Sequence, residues 1–206
     1  MTIPVFTRVA GIAAALPGAN IDTDVIMPKQ FLKGIDRAGL ARGLFHDLRF
    51  DADGAPRAGF FLNHANMAET RFLVVGSNFG CGSSREHAVW GMLQFGIRAI
   101  VGTSFAGIFA DNAANNGLLL ISLDDAALAP LAAKVGEGAR RLMIDLDAQQ
   151  IETGDGAIPF TIDPARRRAL MLGLDRIGET LTYADAIDAF EQAYLAENPW
   201  LVEEPA

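Results

Sequence analysis

The stretch from Phe72 to Ser122 constrains the fold of this chain more than any other. Phe72-Leu73-Val74-Val75 is a short unbroken apolar run closed by Gly76, the pattern of a strand buried on both faces. A glycine loop follows, Gly80-Cys81-Gly82-Ser83-Ser84-Arg85-Glu86-His87, and then Ala88, Val89, Met92, Leu93 and Phe95 recur at helical spacing up to Gly96. Ala99-Ile100-Val101 supplies a second buried strand. Strand, loop, helix, strand predicts a parallel α/β unit with its loop at the carboxyl edge of the sheet, where open α/β folds bind ligands. Two hydroxyls and a guanidinium stand where the helix begins. Unpaired N–H groups and the positive end of the helix dipole suit an anion there, and Arg85 can add a bidentate grip. Ser83-Ser84-Arg85-Glu86 also fits a capping box, in which Ser83 and Glu86 do no more than start the helix. The open glycine loop argues for more than a cap, because glycine allows backbone geometry and close ligand approach that a side chain blocks.

The rest of the chain surrounds this unit. Val5 to Ala14 reads as a strand ended by Pro17-Gly18, and Asn20-Ile21-Asp22-Thr23-Asp24 as a polar turn with two carboxylates. Residues 27–53, rich in Lys, Arg, Gly and Phe without a period, predict a long surface loop with brief helical pieces. Its cations Lys29, Lys33, Arg37 and Arg42 are either solvated or part of a mobile flap that meets a carboxylate. Ser104 is positioned to cap a helix over 105–116, stopped by Gly117, and Asp124 to cap one over 125–135. Asn112, Asn115 and Asn116 share that first helix and suit polar packing or a contact between subunits. From Arg140 the pattern turns to a hairpin through Thr153-Gly154-Asp155-Gly156. Asp163-Pro164 then starts a helix that Gly173 ends. Leu181 to Ala196 predicts a terminal amphipathic helix with Ile187, Phe190 and Tyr194 on one side, before a frayed or partner-dependent tail from about residue 197.

Composition limits what such a chain does alone. With 206 residues, half of them hydrophobic and a fifth charged, the expectation is one soluble domain spanning 1–206. A formal net charge of -8 argues against nucleic acid or an anionic membrane surface as partner. No apolar run approaches a membrane span and the N-terminus lacks a signal pattern, so the expected location is cytoplasmic. The single cysteine excludes an internal disulfide.

Several of these segments carry a family resemblance. Gly82-Ser83-Ser84-Arg85-Glu86-His87-Ala88 resembles the signature of the swivelling domain of the aconitase superfamily. The longer string from Asn78 to Trp90 is closer still to the small subunits of 3-isopropylmalate dehydratases. Asn20 to Asp24, Pro28-Lys29-Gln30-Phe31-Leu32 and Gly173 to Gly178 resemble the same subunits in the same order. The resemblance implies a single swivel-type β/β/α domain: a mostly parallel central sheet flanked by helices, with a C-terminal hairpin and helices. It implies a hydro-lyase that isomerises 2-isopropylmalate to 3-isopropylmalate in leucine biosynthesis. Related small subunits that handle homoaconitate or methylmalate stay open as alternatives. Ser83 matches the superfamily's base and Asp24, after Thr23, its supporting aspartate; Ser84, Arg85 and Thr23 match substrate-binding positions. A cation about a dozen residues after the aspartate is expected on a substrate carboxylate, with Arg37 nearest that place and Lys29 or Lys33 as substitutes. Superfamily members use an iron–sulfur cluster, which needs several thiolates. Cys81 alone cannot hold one, and His46, His64 and His87 show no ligand spacing. No cofactor is therefore expected on this chain, and a [4Fe-4S] cluster is expected on a large-subunit partner.

Two other classes compete with this reading. Cys81 in a tight strand-to-helix turn, with His87 as base, suggests a cysteine hydrolase. A non-catalytic domain that only holds an anion at the glycine loop is the other.

Overall fold

The computed structural model describes residues 3–33 and 37–202. Part of the predicted 27–53 loop (34–36) and the end of the predicted tail (203–206) lie outside the described residues. The strands are β1 (Arg8–Leu16), β2 (Thr70–Val75), β3 (Ala99–Gly102), β4 (Leu119–Ser122), β5 (Arg140–Asp145), β6 (Gln150–Glu152) and β7 (Ala157–Pro159). The helices are α1 (Thr23–Ile26), α2 (His46–Arg49), α3 (Glu86–Phe95), α4 (Gly107–Asn116), α5 (Asp125–Gly136), α6 (Pro164–Leu172), α7 (Arg176–Leu181) and α8 (Ala184–Glu197). No helix among the described residues is long and apolar enough to cross a membrane.

All seven strands join one sheet in the order β4-β3-β2-β1-β5-β6-β7. From β4 to β1 the pairs are parallel, and from β1 through β5 and β6 to β7 they are antiparallel. The parallel half is the predicted α/β unit, and the antiparallel half is β1 joined to the predicted hairpin. Successive strand side chains point to opposite faces. Phe72 and Val74 of β2 therefore enter one core layer, with Leu128, Leu131 and Val135 of α5 and Leu170 of α6. Leu73 and Val75 enter the other, with Ala88, Val89 and Met92 of α3 and Phe109 and Ala113 of α4. Burial on both faces is why β2 reads as an unbroken apolar run.

Some boundaries differ from expectation for local reasons. The first strand begins at Arg8 and not Val5, because the preceding backbone binds α6: the Phe6 N–H donates to the Leu170 carbonyl at 2.9 Å. α4 starts at Gly107, and Ser104 does not cap it; its hydroxyl accepts the Asn78 N–H at 2.9 Å. The expected terminal helix is α8, which starts at Ala184 and not Leu181, and a short helix not expected from the sequence, α7, precedes it and closes at Thr182. Asp124 and Asp163 do cap α5 and α6, accepting from the Ala127 and Arg166 N–H groups at 2.8 and 2.9 Å. The 27–53 segment is more firmly packed than a surface loop: Met27, Leu40, Leu44 and Phe45 are buried in the α3 layer of the core. Among its described cations, Lys29, Lys33, Arg37 and Arg42 stay exposed.

Candidate active site

Three loops leave the carboxyl ends of β1, β2 and β3 and are hydrogen-bonded to one another side by side. The Asn20 N–H donates to the Ser77 carbonyl at 2.9 Å, the Gly80 N–H to Ile21 at 2.8 Å, and the Thr23 N–H to Cys81 at 2.8 Å. Asn78 Nδ2 donates to Asn20 Oδ1 at 2.9 Å, and both residues are left-handed (φ 53° and 57°), a conformation asparagine tolerates better than most side chains. On the other flank the Ala106 N–H donates to the Phe79 carbonyl at 3.0 Å. The loop that carries the motif is therefore held from both sides.

Glycine is required at its centre. Gly80 has φ +78°, and a Cβ there would lie 2.2 Å from Phe109 Cγ. Gly82 has φ +96° and passes so close to Asp22 that a Cβ would stand 3.1 Å from its Cβ. This close approach delivers Ser83 to Thr23. The Ser83 and Thr23 hydroxyl oxygens are 3.2 Å apart, and Thr23 Oγ1 also lies 3.4 Å from the Ser83 carbonyl. Thr23 is 1 % exposed, whereas Ser83 faces solvent.

Beside the hydroxyl pair, the Arg85 guanidinium binds the Asp24 carboxylate in a direct ion pair. That hydrogen bond holds the Asp24 carboxyl below the usual carboxylate range; slight desolvation opposes it, and the charges of Arg85 and Lys29 reinforce it. The sequence predicts an Arg85 ready for an external anion; here its guanidinium is occupied by Asp24. Asp22, the expected turn former, caps α1 by accepting the Val25 N–H at 2.8 Å.

The capping-box reading does not describe this geometry. Arg85 is the cap residue of α3, without a side-chain cap bond, so Ser83 lies two residues before it. Glu86 turns away and accepts from Asn116 Nδ2 at 2.6 Å. The asparagines of α4 brace this corner: Asn112 Nδ2 donates to the Ser84 carbonyl at 3.4 Å, and Asn116 Oδ1 accepts from Trp90 Nε1 at 2.9 Å. Asn20, Asn78 and Ser104 are contributors that sequence reasoning misses. The signals for them are that Asn20 and Asn78 head two of the family-like strings and that all three are polar side chains at turns.

The structure brings together Ser83, Thr23, Arg85 and Asp24, with Ser84 on the same exposed loop and Lys29 close enough to act on Asp24. Arg37 is placed apart from that group. Its guanidinium stacks over Trp90 at 4.0 Å, and its carbonyl accepts from the Gln94 side chain. Lys29 bears on Asp24 only as the weakest of the influences that depress its carboxyl, and among the described residues no hydrogen bond or ion pair joins Lys29 or Lys33 to the group. The hydrolase reading loses its base: the His87 ring packs on Trp90, centroids 4.7 Å apart, and no hydrogen bond among the described residues joins it to Cys81.

Known proteins are similar to this chain over nearly its whole length. The aconitase C-terminal domain matches residues 3–126, and the C-terminal domain of 3-isopropylmalate dehydratase small subunits matches 177–203. The 3-isopropylmalate dehydratase small subunit 1 of Mannheimia succiniciproducens is 54 % identical over 95 % of this chain and 98 % of its own length. This chain belongs to the 3-isopropylmalate dehydratase small-subunit family. Small subunit 2 of Salmonella typhimurium is 49 % identical over 95 % of both chains, and the small subunit of Caulobacter vibrioides 48 % over 95 % and 98 %. The crystal structure of 3-isopropylmalate dehydratase from Methanocaldococcus jannaschii superposes with a TM-score of 0.65 at 28 % identity, covering 90 % of this chain and 99 % of that one. The resemblance carried by Asn20–Asp24 and Asn78–Trp90 is thus borne out, as is the α/β class. As a member of this small-subunit family, the chain carries its hydroxyl pair and Arg85–Asp24 on a solvent-facing edge of the sheet.

Proposed function

We propose that this chain is the small subunit of a two-chain hydro-lyase that interconverts 2-isopropylmalate and 3-isopropylmalate in leucine biosynthesis, in the cytoplasm. The observation that carries the mechanism is the 3.2 Å contact of Ser83 Oγ with Thr23 Oγ1, next to the Arg85–Asp24 pair. Dehydration takes a proton from one carbon and hydroxide from its neighbour; rehydration returns them the other way round. Ser83 Oγ takes the carbon-bound proton. A serine is too weakly acidic to do so unaided at neutral pH, so its alkoxide needs hydrogen-bond and electrostatic support. Thr23 supplies one such bond. Its hydroxyl has two acceptors within reach, the Ser83 carbonyl and Ser83 Oγ, and as Oγ becomes anionic the charge-assisted bond to it is the stronger. Arg85 adds positive charge at the same edge, and Asp24 fixes its orientation. Ser84 and Arg85 bind a substrate carboxylate, and Lys29 gives the adjoining segment a cation to complete the grip.

The residues of this chain do not fit an iron–sulfur cluster. It has one cysteine, and the described residues contain no group of three His, Cys, Asp or Glu side chains able to hold a metal ion. We assign the cluster to the large subunit, where it would supply Lewis-acid polarisation of the leaving hydroxyl.

The test is turnover of 2-isopropylmalate, followed by absorbance of the unsaturated intermediate, with this chain alone and mixed with a cluster-loaded large subunit from the same source. Activity only in the mixture is expected. Activity of the chain alone overturns the division of labour. Silence with 2-isopropylmalate but turnover of homoaconitate or methylmalate moves the substrate and keeps the chemistry.

A further inference from the structure

The C-terminal arm, residues 176–202, has no residue buried in either of its helices, although it is rich in large apolar side chains. Phe190 and Tyr194 stack one turn apart, centroids 5.7 Å and planes 16° apart, with Ile187 one turn before them, so α8 presents a continuous apolar stripe. Phe190 is 65 % exposed and Trp200, just beyond the helix, 70 %. A helix of 14 residues is marginal in water on its own and draws its stability from packing such a stripe. Flanking the stripe, Asp185, Asp188 and Glu191 make the other face acidic. From Ile177 to the last residue the sequence holds seven carboxylates and no Lys, Arg or His. Two copies packed stripe to stripe would set acidic rim against acidic rim, which disfavours a second copy of this chain. The complementary surface is an apolar groove with a basic rim.

The arm also leaves the fold at a telling place. Asp175 caps α7, accepting the Gly178 N–H at 2.7 Å, and lines a cleft of about 320 Å³ together with Glu86, the neighbour of Arg85. A chain that covers the Ser83–Arg85 loop therefore lies next to the root of the arm.

We infer that residues 176–202 are a docking arm for the large subunit, seated in an apolar groove of that subunit rimmed by lysines and arginines. This rests on the two-chain reading above. The experiment titrates a cluster-loaded large subunit with the full-length chain, the Phe190→Asp/Tyr194→Asp variant, the Asp188→Lys/Glu191→Lys variant and Ser83→Ala, reading binding and turnover separately. The aromatic variant should raise Kd by about 100-fold while keeping the melting temperature of the isolated chain, because no residue of α8 is buried within it. The charge-reversed variant should associate more slowly and with less dependence on salt. Ser83→Ala should bind normally with turnover lowered by about 10²- to 10⁴-fold, which separates loss of docking from loss of chemistry. Unchanged binding by both arm variants overturns the arm and leaves the two-chain reading intact. A wild-type dimer that the aromatic variant turns into monomers, with large-subunit binding unchanged, overturns it in favour of a second copy. A wild-type chain that does not bind the large subunit at all removes the two-chain reading, and the arm's occupant with it.

Discussion

Thr23 and Ser83 stand 60 positions apart in the chain, yet their hydroxyl oxygens are 3.2 Å apart at the carboxyl edge of the sheet. Thr23 is buried and Ser83 exposed, so the contact joins a fixed group to one open to solvent. Ser83→Ala removes the proton acceptor and should lower kcat of the assembled enzyme by about 10²- to 10⁴-fold with little change in KM. Thr23→Val keeps the buried shape and removes the supporting hydroxyl; kcat should fall by about tenfold. Steady-state kinetics with 2-isopropylmalate checks both, and a Thr23→Val enzyme with wild-type kcat would remove Thr23 from the chemistry.

Asp24 sets a pH dependence whose sign follows from its pairing. The Arg85 hydrogen bond depresses its carboxyl, so the folded value lies below the unfolded one of about 3.9. Its stabilising contribution is complete above the unfolded value and is lost as pH falls through the folded one. Asp24→Asn should therefore melt below wild type at pH 7, and the two curves should converge below about pH 4. Parallel curves down to about pH 3 would show that the ion pair contributes nothing to stability.

Gly80→Ala should destabilise the chain by about 2–3 kcal/mol, since it combines a left-handed backbone with a Cβ 2.2 Å from Phe109 Cγ. Gly76→Ala meets the backbone carbonyls of Gly18 and Pro17 at 2.5 and 2.6 Å, which no side-chain rotation relieves. Both should lower the denaturant midpoint, and Gly76→Ala should also loosen the β1–β2 loop pairing that seats Thr23. Amide exchange at Gly80 and Thr23 measures that loosening.

Cys81→Ala tests the discarded nucleophile. The Cys81 carbonyl, not its thiol, engages Thr23, and His87 is occupied on Trp90. The variant should keep most of its turnover, and alkylation of the wild-type thiol should cost activity only through bulk. Complete loss in Cys81→Ala at wild-type stability would place the Cys81 thiol in the chemistry of the site.

Local pattern made much of this protein legible before any tertiary structure. The apolar run Phe72–Val75, the helical spacing from Ala88 to Phe95 and the strand Ala99–Val101 prescribe a β2–α3–β3 unit because burial on both faces leaves its mark on every residue. Asp124 and Asp163 announced their helices because a cap bonds within three residues. Ser104 misled for the same reason: its hydroxyl bonds across 26 positions to Asn78, a choice no local rule contains. The sequence by itself thus determined the fold class, the carboxyl-edge loop and the family. Only the tertiary structure decided that Ser83 meets Thr23, that Arg85 is held by Asp24, that Arg37 stacks on Trp90 away from that pair, and that no residue of α8 is buried against its own chain. The reason is physical. Periodicity and capping act over one helical turn, whereas the site is made where three loops from distant strand ends touch, and that contact is set by the order of strands in the sheet.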